Sequence, residues 1–162
     1  MTPQRSHHKI LTDESLPSAL KEWRDTNQKI VFTNGCFDLL HVGHVDYLEK
    51  SRLLGDKLIV GLNTDLSVKG NKGDKRPVNN EQIRSIMLSA LWFVDAVILF
   101  GDKTPLKLID TVRPDILVKG KDYEIEEIVG SKEVIAYGGA VERIDLVNGF
   151  STTNLIEKIK DL

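Results

Sequence analysis

Two histidines, His41 and His44, stand three positions apart at the end of a segment, residues 30–44, that reads IVFTNGCFDLLHVGH. Residues at this spacing lie on the same side of a helix, so one helical turn presents both imidazoles in one direction. The first turn of a helix also offers unpaired backbone N–H groups and the positive end of the helix dipole. Together these features predict a binding site for the phosphates of a nucleotide.

A strand, a turn and a helix must position the two histidines. Residues 30–33 are apolar and rich in β-branched side chains, which is typical of a buried parallel strand. Asn34 and Gly35 end this run as a turn. The inner face of the following helix, which we expect to end near Gly55, is predicted from the spacing of Val45, Leu48, Leu53 and Leu54.

Strands and helices alternate along the rest of the chain. Strands are predicted over residues 30–33, 57–62, 96–100, 115–118 and 140–146, and further helices over 15–24, 81–92, 105–112, 131–137 and 154–159. This alternation indicates an α/β, Rossmann-like, mostly parallel sheet of about five strands with helices on both faces. We expect a disordered start at residues 1–8, a lead-in and helix over 1–28, and a single domain over 29–162.

Length and composition limit the functional classes. A chain of 162 residues with 41% hydrophobic and 28% charged residues suits one soluble domain. A formal net charge of −2 argues against a broad nucleic-acid surface, and no apolar run is long enough to span a membrane. Cys36 is the only cysteine and no signal peptide is visible, so we predict a cytoplasmic protein with neither nucleic-acid nor membrane partners.

Ligands of parallel α/β sheets bind at the carboxyl ends of the strands. Polar residues follow four of the predicted strands, at 34–44, 63–65, 119–123 and 151–153, so we expect these segments to meet at one edge. The second strand also leads into residues 67–77, where glycines, lysines and an arginine predict a mobile basic loop.

The combination of H-x-G-H with a preceding G-x-F-D resembles the nucleotidyltransferase superfamily that includes cytidylyltransferases and pantetheine-phosphate adenylyltransferase. This resemblance implies that His41 and His44 contact the nucleotide phosphates and support the charge that develops as pyrophosphate leaves. Other nucleotide-binding residues implied in this segment are Asn34, Gly35, Cys36, Phe37 and Gly43. A zinc site is the alternative for a histidine pair, but one cysteine does not complete a convincing ligand set.

Two residues of the segment keep alternative interpretations. Asp38 is either a carboxylate at a helix start or a group that positions a histidine or the magnesium of Mg–ATP. No metal is expected to be held by the protein alone. Cys36 is better explained by packing than as a nucleophile, because no base is assigned to it and the resemblance implies no covalent intermediate.

The basic residues after the second strand are either a solvated linker or phosphate ligands. Similar K-G-x-x-R-P-V segments lie over the active site in the heptose branch of the superfamily. We therefore predict Lys72 as a catalytic phosphate ligand, Arg84 as a second nucleotide ligand and Arg76 as a weaker, substrate-binding candidate.

Near the C-terminus, Ser151, Thr152 and Thr153 could cap a helix or bind a nucleotide phosphate at its first turn. Cytidylyltransferases carry a similar R-T-x-G-I-S-T-T segment. Leu146 occupies the arginine position here, which argues against the branches that act on glycerol phosphate and choline phosphate.

Several segments narrow the resemblance to the adenylyltransferase domains of bacterial ADP-heptose synthases, over residue 29 to the end. They are V-K-G-x-D-Y at 118–123, G-S-K-E-V at 130–134, G-G-x-V at 138–141 and S-T-T-N at 151–154; Lys121 departs from a more usual glycine. The resemblance implies ATP and D-glycero-β-D-manno-heptose 1-phosphate as substrates, Mg²⁺ with ATP, ADP-heptose and pyrophosphate as products, and a homodimer or larger homo-oligomer. It also implies a separate chain for the sugar kinase. Predicted substrate-binding residues are Asp38, Asn63, Asp65, Arg76, Lys119, Asp122 and Tyr123.

The expected chemistry needs positive charge and alignment rather than a strong base, because a sugar phosphate with a second pKa of about 6 is already anionic at neutral pH. Two other functions stay open. One is a cytidylyltransferase acting on glycerol 3-phosphate or another phospho-alcohol. The other is a non-catalytic nucleotide-binding module, which the joint presence of His41, His44, Lys72 and Arg84 disfavours.

Overall fold

Six parallel strands form one sheet in the computed structural model, which describes residues 6–162. The strands are β1 (Ile10–Leu11), β2 (Ile30–Gly35), β3 (Lys57–Asn63), β4 (Ala96–Phe100), β5 (Ile116–Gly120) and β6 (Ala140–Ile144), arranged in the order β1-β4-β3-β2-β5-β6. The helices are α1 (Leu16–Asp25), α2 (Val42–Arg52), α3 (Asp65–Lys72), α4 (Glu81–Ser89), α5 (Leu106–Val112), α6 (Ser131–Ala136) and α7 (Thr152–Lys160), with 3₁₀ turns at Ser6–Lys9 and Ile125–Glu127.

Both faces of the sheet are covered. In β2, Ile30 and Phe32 belong to a core that includes residues of α1, α5 and α6, whereas Val31 belongs to a second core with residues of α2 and α4. Successive strand side chains point to opposite faces, so a strand covered on both sides needs the uninterrupted apolar run that its sequence shows. The predicted α/β architecture is confirmed.

The sheet has one strand more than predicted. β1 is a two-residue edge strand that pairs with β4 through Ile10 with Val97 and Leu11 with Ile98. It lies directly after the predicted disordered start, of which residues 1–5 fall outside the described residues and residues 6–9 form a 3₁₀ turn. Residues 10–25 therefore contribute to the sheet and its core, and the division of the chain at residue 28 stays a prediction.

Most of the predicted basic loop at 67–77 is helical instead. Thr64 caps α3 through its hydroxyl, which accepts a hydrogen bond from Ser67 N at 3.3 Å, and Val68 is fully buried. Capping and burial outweigh the cost of Gly70 within the helix, which is about 1 kcal/mol relative to alanine. The irregular part is residues 73–80, which we call the α3–α4 segment.

The strand order reverses next to β2. The chain runs from β2 outwards through β3 to β4, and later returns to place β5 and β6 on the other side of β2. The carboxyl ends of β2 and β5 flank this reversal, where α/β sheets leave a crevice for ligands. Over residues 6–162, none of the helices combines the length and apolar character required to cross a bilayer.

Candidate functional site

A cavity of about 650 Å³ opens at the carboxyl ends of the central strands. Its volume is in the range of ordinary small-molecule sites. The structure brings to it all predicted site residues except Asp65 and Arg84. The turn after β2 and the start of α2 contribute Asn34, Gly35, Cys36, Phe37, Asp38, His41, Gly43 and His44; the other segments contribute Asn63, Lys72, Arg76, Lys119, Asp122, Tyr123, Ser151, Thr152 and Thr153.

The two histidines lie together at the N-terminus of α2. His41 is the N-cap residue, and its side chain makes no capping hydrogen bond. The His41 and His44 rings stack with their centroids 3.8 Å apart, and the Phe37 ring contacts His44 edge-on at 5.1 Å. One helical turn therefore places both imidazoles beside the open end of the helix dipole.

Three buried side-chain atoms within the described residues have no hydrogen-bond partner, and all three belong to this cavity. They are Asn34 Oδ1, His41 Nδ1 and His44 Nδ1. An unpaired buried polar atom costs free energy, so such atoms are rare in folded proteins. Their concentration in one cavity indicates a polar ligand that completes their hydrogen bonds.

Burial sets the charge of both imidazoles. It lowers the pKa of His41, and burial together with the neighbouring His41 ring lowers the pKa of His44 to about 4. Both rings are therefore neutral near pH 7 in the free protein. A neutral imidazole still donates one N–H and accepts one hydrogen bond, and a bound phosphate favours the protonated form.

The glycine of H-x-G-H has a steric reason. A Cβ atom at Gly43 would lie 3.1 Å from His41 Nδ1 and 3.5 Å from Phe150 Cβ. A side chain here would press on the His41 ring and narrow the space between α2 and the chain before α7. Gly43 therefore keeps the first histidine in place and the cavity open.

Lys119 supplies a cation from the end of β5. Its Nζ donates to Asn34 O at 3.1 Å, and burial lowers the pKa of Lys119 to about 8, although the nearby Asp122 opposes that shift. Lys121, the departure from the family pattern, forms an ion pair with Asp145 at 2.7 Å and is not among the cavity residues. The V-K-G-x-D-Y loop thus keeps its cavity-facing groups despite this departure.

Cys36 has the properties of a packing residue. Burial raises the pKa of the Cys36 thiol, which stays protonated at neutral pH. Its Sγ has only a long contact, 3.9 Å, to Asn63 Oδ1. Because the thiolate is the nucleophilic form, this environment gives no support to covalent catalysis.

The Asp38 carboxylate is hydrogen-bonded within the protein. Its carboxylate accepts hydrogen bonds from Arg76 Nε at 2.6 Å, Val78 N at 2.8 Å and Asn79 N at 3.0 Å, and the residue is 2% exposed. Both carboxylate oxygens thus accept hydrogen bonds within the protein, and a contact of Asp38 with Mg–ATP stays a prediction. The described residues contain no group of three or more His, Cys, Asp or Glu arranged to hold a metal ion.

Arg84, predicted as a nucleotide ligand, does not reach the cavity in this structure. Its side chain is fully buried and pairs with Asp65 Oδ1 at 2.8 Å, and neither residue lines the cavity. Arg84 lies on the side of α4 that is buried with Ser85 and Leu88. The sequence spacing placed it one turn beyond the basic segment but did not show which way that turn faces.

Some cavity residues were missed by the sequence analysis. Lys103 follows β4 at the same sheet edge, so the rule on strand carboxyl ends could have identified it. No motif signalled Phe150, which is 53% exposed. With Leu146, which the sequence marked only as a replacement for arginine, it adds an apolar wall before α7. Ser151 does act as a helix cap, since its Oγ accepts from Asn154 N at 3.0 Å. The remaining unpredicted lining residues are Tyr47, Asn71, Phe100, Pro105, Gly120 and Val147.

Known proteins are similar to this chain in sequence. The family model described as cytidylyltransferase-like matches residues 32–158. The bifunctional protein HldE of Syntrophotalea carbinolica is 57% identical over 153 residues, and that of Methylobacillus flagellatus is 52% identical over 151 residues. These alignments cover 94% and 93% of this chain but 31% of each relative, so the chain spans about a third of the length of these curated relatives.

A solved structure also matches. The lipopolysaccharide core biosynthesis protein from Thermoplasma volcanium superposes with a TM-score of 0.61 at 32% sequence identity. The match covers 74% of this chain and 97% of that protein. This solved structure is therefore similar to the chain in both fold and sequence.

Proposed function

We propose that this chain, which belongs to the cytidylyltransferase-like family, is a nucleotidyltransferase. It joins ATP and D-glycero-β-D-manno-heptose 1-phosphate to give ADP-heptose and pyrophosphate. The reaction would supply a precursor of the lipopolysaccharide core, which is the process named for the matching Thermoplasma volcanium protein. We place it in the cytoplasm, as the single cysteine suggests.

The observation that carries this proposal is the set of unpaired atoms of Asn34, His41 and His44 in one cavity. A triphosphate offers acceptor oxygens to the imidazole N–H groups, whereas Asn34 Oδ1 accepts a hydrogen bond from a hydroxyl of either substrate. The start of α2 adds backbone N–H groups and a favourable dipole for the same phosphates.

The proposed reaction is an in-line substitution at phosphorus. A phosphate oxygen of the sugar forms a bond to the α-phosphorus of ATP, and the bond from that phosphorus to the α,β-bridging oxygen breaks. The electron pair of that bond leaves with pyrophosphate. The acceptor is already anionic with a second pKa of about 6, so no general base is required.

The protein contributes position and electrostatic stabilisation. His41 and His44 donate to the oxygens on which negative charge increases as pyrophosphate leaves. Lys72 and Lys103 line the cavity and offer cations to the triphosphate, whereas Lys119 lies on the side of Asp122 and Tyr123, where we place the sugar phosphate. Magnesium would enter as part of the substrate Mg–ATP.

The second candidate, a cytidylyltransferase acting on glycerol 3-phosphate, is disfavoured by Leu146. This side chain lines the cavity close to Gly120, where an added Cβ would lie 3.1 Å from Leu146 Cδ1. It can provide neither the charge nor the hydrogen bonds of the arginine that occupies this position in cytidylyltransferases. A purely nucleotide-binding module would use the same imidazoles and lysines, so pyrophosphate release is the observation that separates it from an enzyme.

The proposal is tested by identifying the product. Purified protein with Mg–ATP and D-glycero-β-D-manno-heptose 1-phosphate should release one pyrophosphate for each ADP-heptose detected by mass spectrometry. Omission of the sugar phosphate should abolish pyrophosphate release. Hydrolysis of ATP without a nucleotide sugar, or no turnover at all, would contradict the proposal.

A further inference from the structure

Arg84 is the largest fully buried side chain of the described residues, and the cavity does not use it. Its guanidinium makes three hydrogen bonds to protein oxygens: Nε to Asn79 O at 3.0 Å, Nη1 to Cys36 O at 2.7 Å and Nη2 to Asp65 Oδ1 at 2.8 Å. These partners belong to the α3–α4 segment, the turn after β2 and the first turn of α3. One buried cation thus joins three segments that reach the site.

The bond to Cys36 O fixes the orientation of a peptide group in the phosphate-binding turn. In a planar trans peptide the carbonyl and the next N–H point to opposite sides. The Arg84 bond therefore directs the Phe37 N–H away from Arg84. Phe37 has a φ of 42°, a left-handed conformation that is uncommon for residues other than glycine, so this turn needs an external restraint to hold its shape.

A second set of hydrogen bonds ties the same turn to the same segment. Asp38 accepts from Val78 N and Asn79 N, and the side chain of Asn79 donates back to Asp38 O at 3.3 Å. Asn79 is thus bonded both to Arg84 and to Asp38. Three residues after Asp38 comes His41, the N-cap of α2, so a shift of the turn displaces both imidazoles.

We propose that Arg84 is a positioning residue for nucleotidyl transfer, which holds residues 36–38 in the geometry that aims His41 and His44 at the phosphates. It contacts no substrate itself. A fully buried arginine is costly unless all its donors are satisfied, and here the donors are used on the backbone of the catalytic turn. The turnover readout of this inference rests on the proposed function.

The test compares Arg84→Lys with Arg52→Lys. Arg52 is a suitable control because its Nε also pairs with an aspartate, Asp95, at 2.9 Å, but it ends α2 and does not line the cavity. Circular dichroism and thermal unfolding give the folded fraction of each variant. We expect kcat per folded molecule to fall roughly ten- to a hundredfold in Arg84→Lys, because small displacements of catalytic groups have effects of this size, and to stay at the wild-type level in Arg52→Lys.

Two further measurements separate positioning from stability. Millimolar guanidinium should restore part of kcat in Arg84→Ala but not in His44→Ala. Asp65→Asn, which leaves Arg84 in place, should also lower kcat, as Arg84→Lys does. Folded Arg84→Lys with wild-type kcat, or equal loss in the Arg52 control, would overturn the inference. So would the absence of guanidinium rescue in folded Arg84→Ala.

A further experiment distinguishes failure of the proposed function from failure of the role proposed for Arg84. Native-state hydrogen exchange of residues 36–44, with and without Mg–ATP, does not depend on the sugar. We expect faster exchange there in Arg84→Lys than in Arg52→Lys. If heptose phosphate is not the acceptor, wild type fails in turnover with it while this exchange difference remains; equal exchange in the two variants contradicts the inference alone.

Discussion

His44 combines an unpaired buried nitrogen with a neutral ring at physiological pH. Such a donor has little structural use, but it can strengthen its hydrogen bond as charge moves to the leaving pyrophosphate. We predict that His44→Ala lowers kcat by about 10²–10³, the usual cost of one preorganised donor, with a much smaller change in ATP affinity. Steady-state kinetics and ATP titration of the folded variant check this. An unchanged kcat would remove His44 from the mechanism.

Lys119 predicts a pH dependence of acceptor binding. Its pKa of about 8 lies below the ordinary value of 10.5, so its charge is present below pH 8 and is lost as pH rises through 8. We expect the KM for the sugar phosphate to rise over that range. In Lys119→Arg the cation persists at every pH used, so the rise in KM should disappear. A wild-type KM that does not change up to pH 9 would contradict this role.

For single residues, the sequence was a good guide to which side chains reach the cavity. It was a poor guide to the hydrogen-bond partners of those side chains. Motif spacing was sufficient to predict that His41 and His44 lie side by side, because both lie within one helical turn. The partners of Asp38 come from about 40 positions further along the chain, and such long-range pairing leaves no local pattern. The burial of Arg84 depends on how α4 rotates against the sheet.

Among the elements, the start of the α3–α4 segment at residues 73–75 is the mobile candidate, because the hydrogen bonds to Asp38 begin at Arg76. Lys72 and Arg76 border the cavity at either side of Gly73, which has a φ of 92° and no neighbouring atom within 4 Å of an added Cβ. We predict that trypsin cuts after Lys72 or Lys75 in the free protein and that Mg–ATP slows this cutting by ordering the segment. Cleavage sites elsewhere serve as the internal control. Equal rates of cleavage at the segment with and without Mg–ATP would show that the nucleotide does not order it.

Strands were predicted correctly where the apolar run was several residues long. The five predicted strands are all present, and β4 has the predicted bounds of 96–100. β1 was missed because two residues cannot show a period, and α3 because Gly70 and its lysines favoured a loop locally. In α3 the cap at Thr64 and the burial of Val68 decided the structure, and only the burial required knowledge of the fold.

At the scale of the whole molecule, alternating strands and helices were enough to predict a parallel sheet with its ligands at one edge. They did not predict the order of the strands, which brings β5 beside β2 and so places Lys119 Nζ 3.1 Å from Asn34 O.

The homo-oligomer stays a prediction. Light scattering after size exclusion should give twice the monomer mass or more, and a monomer at all concentrations would contradict it.

We propose that this site transfers AMP from ATP to a heptose 1-phosphate, and a matrix of two triphosphates and two acceptors tests that proposal. Values of kcat/KM from pyrophosphate release would be compared for ATP and CTP, each with heptose 1-phosphate and with glycerol 3-phosphate. We predict that ATP with heptose 1-phosphate exceeds each other pair by about 10²-fold or more, since a site that leaves polar groups of the wrong substrate unpaired discriminates strongly. A preference for CTP with glycerol 3-phosphate would contradict the account.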